Sequence, residues 1–258
     1  MQASLNYFNK NENFLTKMFT LEYSYWFDYM LPGLERMSLP IPLGGTSNHF
    51  VTEKLRELGK WDPFNVTEDA DLGIRAFAKG YKVALLNSTT YEEANNEYFN
   101  WIRQRSRWIK GYMQTYLVHM RNPFKLIKKV GFKGFFAFNF FIGAIPVTFI
   151  AYPILICLFI IYLFFDGASI KEIFPPWVMY ISLFNFFAGN MLIVYINMVA
   201  VFKRRYYGLI LLATLNPVYW LLHSISAYKA LWQLIYNPFY WEKTVHGLTK
   251  IGFKEKNV

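Results

Sequence analysis

Two short groups of residues in this chain have the types and spacing to do chemistry. Thr67-Glu68-Asp69 sets a carboxylate beside a second acid and a hydroxyl, and Gln104-Arg105-Ser106-Arg107-Trp108 follows further along. On a helix over Trp101 to Met120, Gln104, Arg107 and Trp108 fall at i, i+3 and i+4 and share a face. That face offers an amide, a guanidinium fork and a flat aromatic ring. The fork suits pyrophosphate oxygens and the indole suits the C–H face of a sugar. Together they suit an anionic, sugar-bearing ligand. Taken singly, each group has a plainer reading. Thr-Glu-Asp is a common helix N-terminus, and an Arg-Trp pair is a common membrane-interface anchor.

The elements that must position these residues are legible in part. Asp71 to Gly80 reads as a short helix, with Thr67 or Asp69 as its cap and Gly80 in the left-handed position that ends it. Tyr81 to Leu86 follows as a brief strand, so Asp69 is expected at a strand-to-helix corner, facing a cleft. Leu15 to Leu31 reads as an aromatic-rich helix stopped by Pro32-Gly33, with Glu22 and Asp28 too polar for a membrane span. Thr46 to Val51 is expected to be a short strand. Thr52 is expected to cap a helix over Glu53 to Leu58 that Gly59 ends, and Trp61 to Asn65 to form a loop.

Bulk composition separates two unlike halves. The 258 residues are 54% hydrophobic and 21% aromatic, with a mean hydropathy of +0.17. Residues 1–121 are mixed and polar; 122–258 are dominated by apolar runs, and the domain boundary falls between them. Phe135 to Phe165 is too long for one span of ~20 residues, and Pro146 and Pro153 are expected to divide it. Trp177 to Phe202 is a second candidate. Leu209 to Ile235, broken at Asn216-Pro217, is a third, giving three or four segments in all.

The net charge of +10 does not point to nucleic acid, because its clusters flank the apolar runs. They are Lys125, Lys128, Lys129 and Lys133; Lys203-Arg204-Arg205; and Lys250, Lys254 and Lys256. This is the pattern of loops beside an anionic bilayer, and placing all three inside favours an even number of crossings. A transporter should bury ionisable residues mid-span, and the first two apolar runs carry almost none, with Asp166 only at an edge. The single cysteine, Cys157, excludes an intrachain disulfide. Trp101 to Met120, basic and aromatic, can lie at the membrane surface and join the two halves.

A TED followed by QxxRW and then apolar spans resembles the processive membrane glycosyltransferases of family 2, the group of cellulose and hyaluronan synthases. Gly44-Gly45-Thr46-Ser47-Asn48-His49-Phe50 resembles the segment lining their acceptor site. The resemblance implies an α/β fold, the C-terminal part of a GT-A-type glycosyltransferase domain, followed by an all-α transmembrane region. It implies that Asp69 is the general base of an inverting transfer from a nucleotide-sugar donor to a growing polysaccharide or glycan acceptor. Thr67, Glu68, Gln104, Arg107, Trp108, Gly45, Thr46 and Ser47 would bind donor and acceptor. Thr244 and His246 would sit in a nucleotide-capping loop, although an amphipathic interfacial tail explains that segment equally. Mg²⁺ or Mn²⁺ is expected from the family with its Asp-x-Asp ligands outside this chain, since Asp69-Ala70-Asp71 belongs to the TED segment. An N-terminal nucleotide-binding half is therefore expected upstream or on a partner chain. The expected location is the inner membrane, multi-pass, with the catalytic part cytoplasmic and the spans forming an exit path for the product. A silent remnant or one subunit of a split enzyme is the first alternative, and a non-enzymatic transporter or scaffold the second.

Overall fold

The computed structural model describes residues 1–164 and 175–249. Asp166 and the cluster of Lys250, Lys254 and Lys256 lie outside the described residues. The first half is built on a two-stranded parallel sheet. β1 (Gln2–Tyr7) pairs with β2 (Leu85–Glu92), with a register shift between Ala3 and Ser4. Parallel strands need a long crossover, and residues 8–84 supply it.

Within that crossover, α1 (Phe14–Tyr25) opens on a capping box. Asn13 Oδ1 accepts from the Thr16 amide, and Thr16 Oγ1 accepts from the Asn13 amide. The expected stop at Pro32-Gly33 does not occur. A π turn at Trp26–Met30 leads straight into α2 (Leu31–Arg36), whose first turn holds Pro32. The widened turn relieves the clash between a proline ring and the carbonyl four residues earlier.

Other expectations shift as well. Residues 46–51 form no strand; Asn48 makes one antiparallel bridge to Gln2. Val51 occupies the cap position of α3 (Thr52–Glu57), so Thr52 is its first helical residue, while Gly59 ends it at φ +81°. α4 (Glu68–Ala78) starts earlier than Asp71 and is approached from a loop, not a strand. Thr67 holds its cap position without a side-chain capping bond, and Gly80 does adopt φ +82°. The strand that follows is Leu85–Glu92, mostly polar, and not the apolar run from Tyr81. Its partner β1 is nearly all buried, so pairing rather than side-chain pattern places it.

The helices that follow are α5 (Tyr98–His119), which ends the first half, then α6 (Pro123–Phe138), α7 (Ala144–Phe164), α8 (Pro176–Phe184), α9 (Asn190–Lys203) and α10 (Asn216–Tyr236). π turns at Asn139–Gly143 and Asn185–Gly189 join α6 to α7 and α8 to α9. Among the described residues, three helical stretches are long and apolar enough to cross a membrane: Pro123–Ile161, Pro176–Lys203 and Tyr207–Tyr236. Neither Pro146 nor Pro153 divides the first of them. Its backbone departs from helical geometry at Gly131 (φ 71°, ψ 171°), where only glycine is at ease. Asn216-Pro217 does act as a boundary, opening α10 after two short 3₁₀ turns.

α5 is the shared wall of both halves. It packs along α10 on one side and contributes to the aromatic core on the other. Trp101 is fully buried, with the rings of Phe19, Tyr219 and His223 against it. Arg105 is buried too and holds Glu22 of α1 in a bidentate pair at 2.7 and 2.5 Å. Asp28 grips Arg204 in the same way at 2.5 and 2.7 Å, tying the first helical stretch to the end of α9. The two acids that argued against a span thus tie the first helical stretch to α5 and to the end of α9. Arg105 and Lys110 turn inward, so the basic residues of α5 do not form one outer face.

Candidate active site

Asp69 lies in the first turn of α4, where free backbone amides favour a carboxylate. Its Oδ1 accepts a hydrogen bond from Trp61 Nε1 at 2.8 Å. Its Oδ2 faces Gly45, where an added Cβ would stand only 3.1 Å away. Burial pushes the Asp69 carboxyl up to about 6; the Trp61 bond acts against the rise and the neighbouring Glu68 charge adds to it. A carboxylate tuned this way takes a proton far more readily than a solvated one, while staying ionised near neutrality.

The TED segment is held from behind by α5. Gly111 permits the approach: a Cβ there would fall 2.0 Å from Thr67 Oγ1. Asn65 Nδ2 donates to Thr115 Oγ1 at 2.8 Å, and the Val66 amide donates to Gln114 Oε1 at 3.1 Å. Asp71, two residues on, faces elsewhere. It is buried and binds Arg75 Nε at 2.6 Å and His119 Nε2 at 2.8 Å. Burial would raise its carboxyl, but His119 and Arg75 outweigh that and hold it low. Among the described residues no three His, Cys, Asp or Glu side chains are placed to hold a metal ion. With Asp71 spent on Arg75 and His119, the donor set here does not fit Mg²⁺ or Mn²⁺.

A cavity of about 2230 Å³ brings most of the expected residues together. Gly45, Thr46, Thr67, Glu68, Asp69, Gln104, Arg107, Trp108 and His246 all line it. Ser47 does not: at φ +58° its hydroxyl turns to Thr90 Oγ1, 2.6 Å away. Gln104 Oε1 accepts from Asn95 Nδ2 at 2.8 Å, leaving its own amide protons for the cavity. Trp108 is braced by Phe19 and Tyr23, with the Arg105 guanidinium 4.8 Å from its ring centre.

Arg107 reaches the tail. Its Nη2 stands 3.5 Å from Thr244 Oγ1 and its guanidinium lies 4.7 Å from the Trp241 ring centre, while its buried Nε has no partner. Residues 240–249 lie over α5 and not apart from it. Lys110 Nζ donates to the Tyr240 carbonyl at 2.6 Å, Asn100 exchanges two bonds with the Val245 backbone, and Glu93 accepts from the Gly247 and Thr249 amides. Thr244 itself is buried outside the cavity lining.

The site residue that sequence reasoning missed is Trp61. It was legible only as part of a loop, because a side chain eight positions from its partner follows no helical or strand period. Glu22 is the second: it lines the cavity from α1, where it was read simply as an acid unfit for a span.

Residues 1–251 match the family described as glycosyl transferase family group 2. The chain belongs to that family and is a transferase by class. A probable glycosyltransferase of Bacillus subtilis strain 168, YdaM, is 29% identical over 128 residues, covering 47% of this chain and 29% of that protein. A probable glycosyltransferase of Sulfolobus acidocaldarius is 28% identical over 100 residues, covering 39% of this chain and 21% of that protein. The chain thus matches less than a third of the length of either relative. No solved structure gives a significant match.

Proposed function

We propose that this protein transfers a sugar from a nucleotide-sugar donor to a glycan acceptor in a single inverting displacement at a membrane. The observation that carries the reading is the Asp69 carboxylate, raised to about 6 and set in the cavity that Gln104, Arg107 and Trp108 also line. The acceptor oxygen bonds the anomeric carbon as the bond from that carbon to the diphosphate breaks. Asp69 takes the acceptor proton, and the nucleoside diphosphate leaves. Trp108 stacks on the acceptor sugar, Gly45 and Thr46 border it, and Gln104 and Arg107 bind the diphosphate or the acceptor. Thr244 and His246 belong to a segment that closes over the nucleotide, supported by the docking of residues 240–249 on α5. A divalent cation of the kind expected from the family would need ligands other than the side chains placed at this site, from outside this chain. The three membrane-length helices anchor the enzyme in the inner membrane with its catalytic part cytoplasmic.

The test is incorporation of labelled sugar in membranes carrying the protein and its full reading frame, beside Asp69→Asn. Incorporation should fall by about 10²–10⁴-fold in Asp69→Asn, the usual worth of a general base. Unchanged incorporation would remove Asp69 from the chemistry.

A further inference from the structure

The cavity does not end at the catalytic residues. It runs on from Asp69 and Trp108 between the membrane-length helices, past Phe140, Phe149, Phe159, Phe186 and Ile193. At about 2230 Å³ it is more than twice the ~1,000 Å³ of a large small-molecule pocket, so a compact sugar acceptor fills only its near end.

We propose that the acceptor is lipid-borne: its polar head sits at Asp69, and one long apolar chain occupies the space between the helices. This rests on the glycosyl-transfer reading above and names its acceptor class. The choice between an apolar chain and a threaded glycan turns on the free polar groups in the far walls. A glycan presents hydroxyls on every residue and needs partners for them. The lining there is mainly apolar, with Leu155, Ile156, Leu158, Ile161, Leu183 and Ile193 in it, and two of its amides are engaged by the protein. Asn190 Nδ2 donates to the Phe186 carbonyl and Asn197 Nδ2 to the Ile193 carbonyl at 2.9 Å. Asn190 Oδ1 alone of these amide oxygens is buried without a partner. Phe159 and Phe186 stack on each other with centroids 4.9 Å apart, part of an apolar wall suited to alkyl or isoprenoid chains.

Polar groups gather again at the near end. Asn216 Nδ2 is buried without a partner on the cavity wall, on the α10 face it shares with Tyr219 and His223. Glu22 and Arg105 complete that rim, and Lys133 supplies a cation suited to a phosphate linking head to chain. The covalent step is unchanged: the head hydroxyl gives its proton to Asp69 and its oxygen to the anomeric carbon.

Two readouts test this. The full protein in membranes is photolabelled with a diazirine-bearing polyprenyl phosphate, and the labelled positions are mapped. Label should concentrate on cavity-facing Phe149 and Phe186, sparing outward-facing Leu211, and excess unlabelled polyprenyl phosphate should displace it where phosphatidylglycerol does not. Equal labelling of Leu211 without competition means bulk lipid alone and overturns the proposal. In parallel, Asp69-dependent sugar label should partition into butanol. Label found only in a water-soluble or insoluble polymer overturns the lipid-borne acceptor while leaving the transferase intact. Specific photolabelling without any Asp69-dependent incorporation supports the lipid site and sinks the catalytic reading instead.

Discussion

At the scale of single residues, burial raises the Asp69 carboxyl and the hydrogen bond from Trp61 offsets part of the rise. As the base proposed above, Asp69 would act only when ionised, so activity should rise with pH through about 6 and level off above it. Trp61 stabilises the ionised form. Removing its donor in Trp61→Phe should move the rising limb to higher pH and lower kcat about three- to tenfold, with KM little altered, since a half-exposed bond to a charged group gives part of the usual ~1.5–3 kcal/mol. A pH–rate profile checks it. An unshifted limb with a raised KM would make Trp61 an acceptor contact instead of a positioning residue.

At the scale of elements, the site depends on how closely α5 backs the TED turn. Gly111→Ala would drive a methyl into Thr67, which must move with Glu68 and Asp69 behind it. The expected result is a loss of at least about tenfold in kcat, the scale of a small misplacement of a catalytic group, with the protein still folded by circular dichroism. Full activity would show that the turn yields freely. The shared face of Gln104, Arg107 and Trp108 was legible because a helical period displays itself in spacing. The strand Leu85–Glu92 was not: its residues are polar, and only pairing with β1 makes them a strand. Pro32 misled for a related reason. A proline ends a helix only when the preceding turn cannot widen, and the π turn at Trp26–Met30 is a tertiary accommodation no dipeptide rule foresees. Ser47 was carried into the site by resemblance, and its positive φ turns it out again.

At the scale of the molecule, polar ties join the first half to the membrane-length helices: Asp28 to Arg204 and Glu22 to Tyr219. Arg105 is buried against Glu22, with Tyr219 of α10 donating to the same carboxylate at 3.1 Å. Arg105→Ala strands Glu22 beside an aromatic core and should cost about 3 kcal/mol, the low end for breaking a buried pair because Glu22 keeps some access to the cavity. Arg103→Ala, which removes an exposed side chain 4.0 Å from Glu242, should cost under about 1 kcal/mol. Thermal unfolding in detergent separates the two, and equal midpoints would mean the Glu22 pair contributes nothing. The division between a polar and an apolar half was plain from composition. That the halves share α5 as one wall was not, because a contact between Glu22 and Tyr219 leaves no local trace in sequence.

The docked tail also sets an order of events during synthesis. Thr249 donates to Glu12 at 2.7 Å across 237 residues, and Val245 bonds Asn100 across 145. Neither contact can form until every membrane-length helix has left the ribosome. Such long-range closure comes late, since its loop entropy is met only after the intervening elements have packed. A nascent chain therefore carries Asp69, Arg107 and Trp108 without residues 240–249 docked on α5 until those helices have been made.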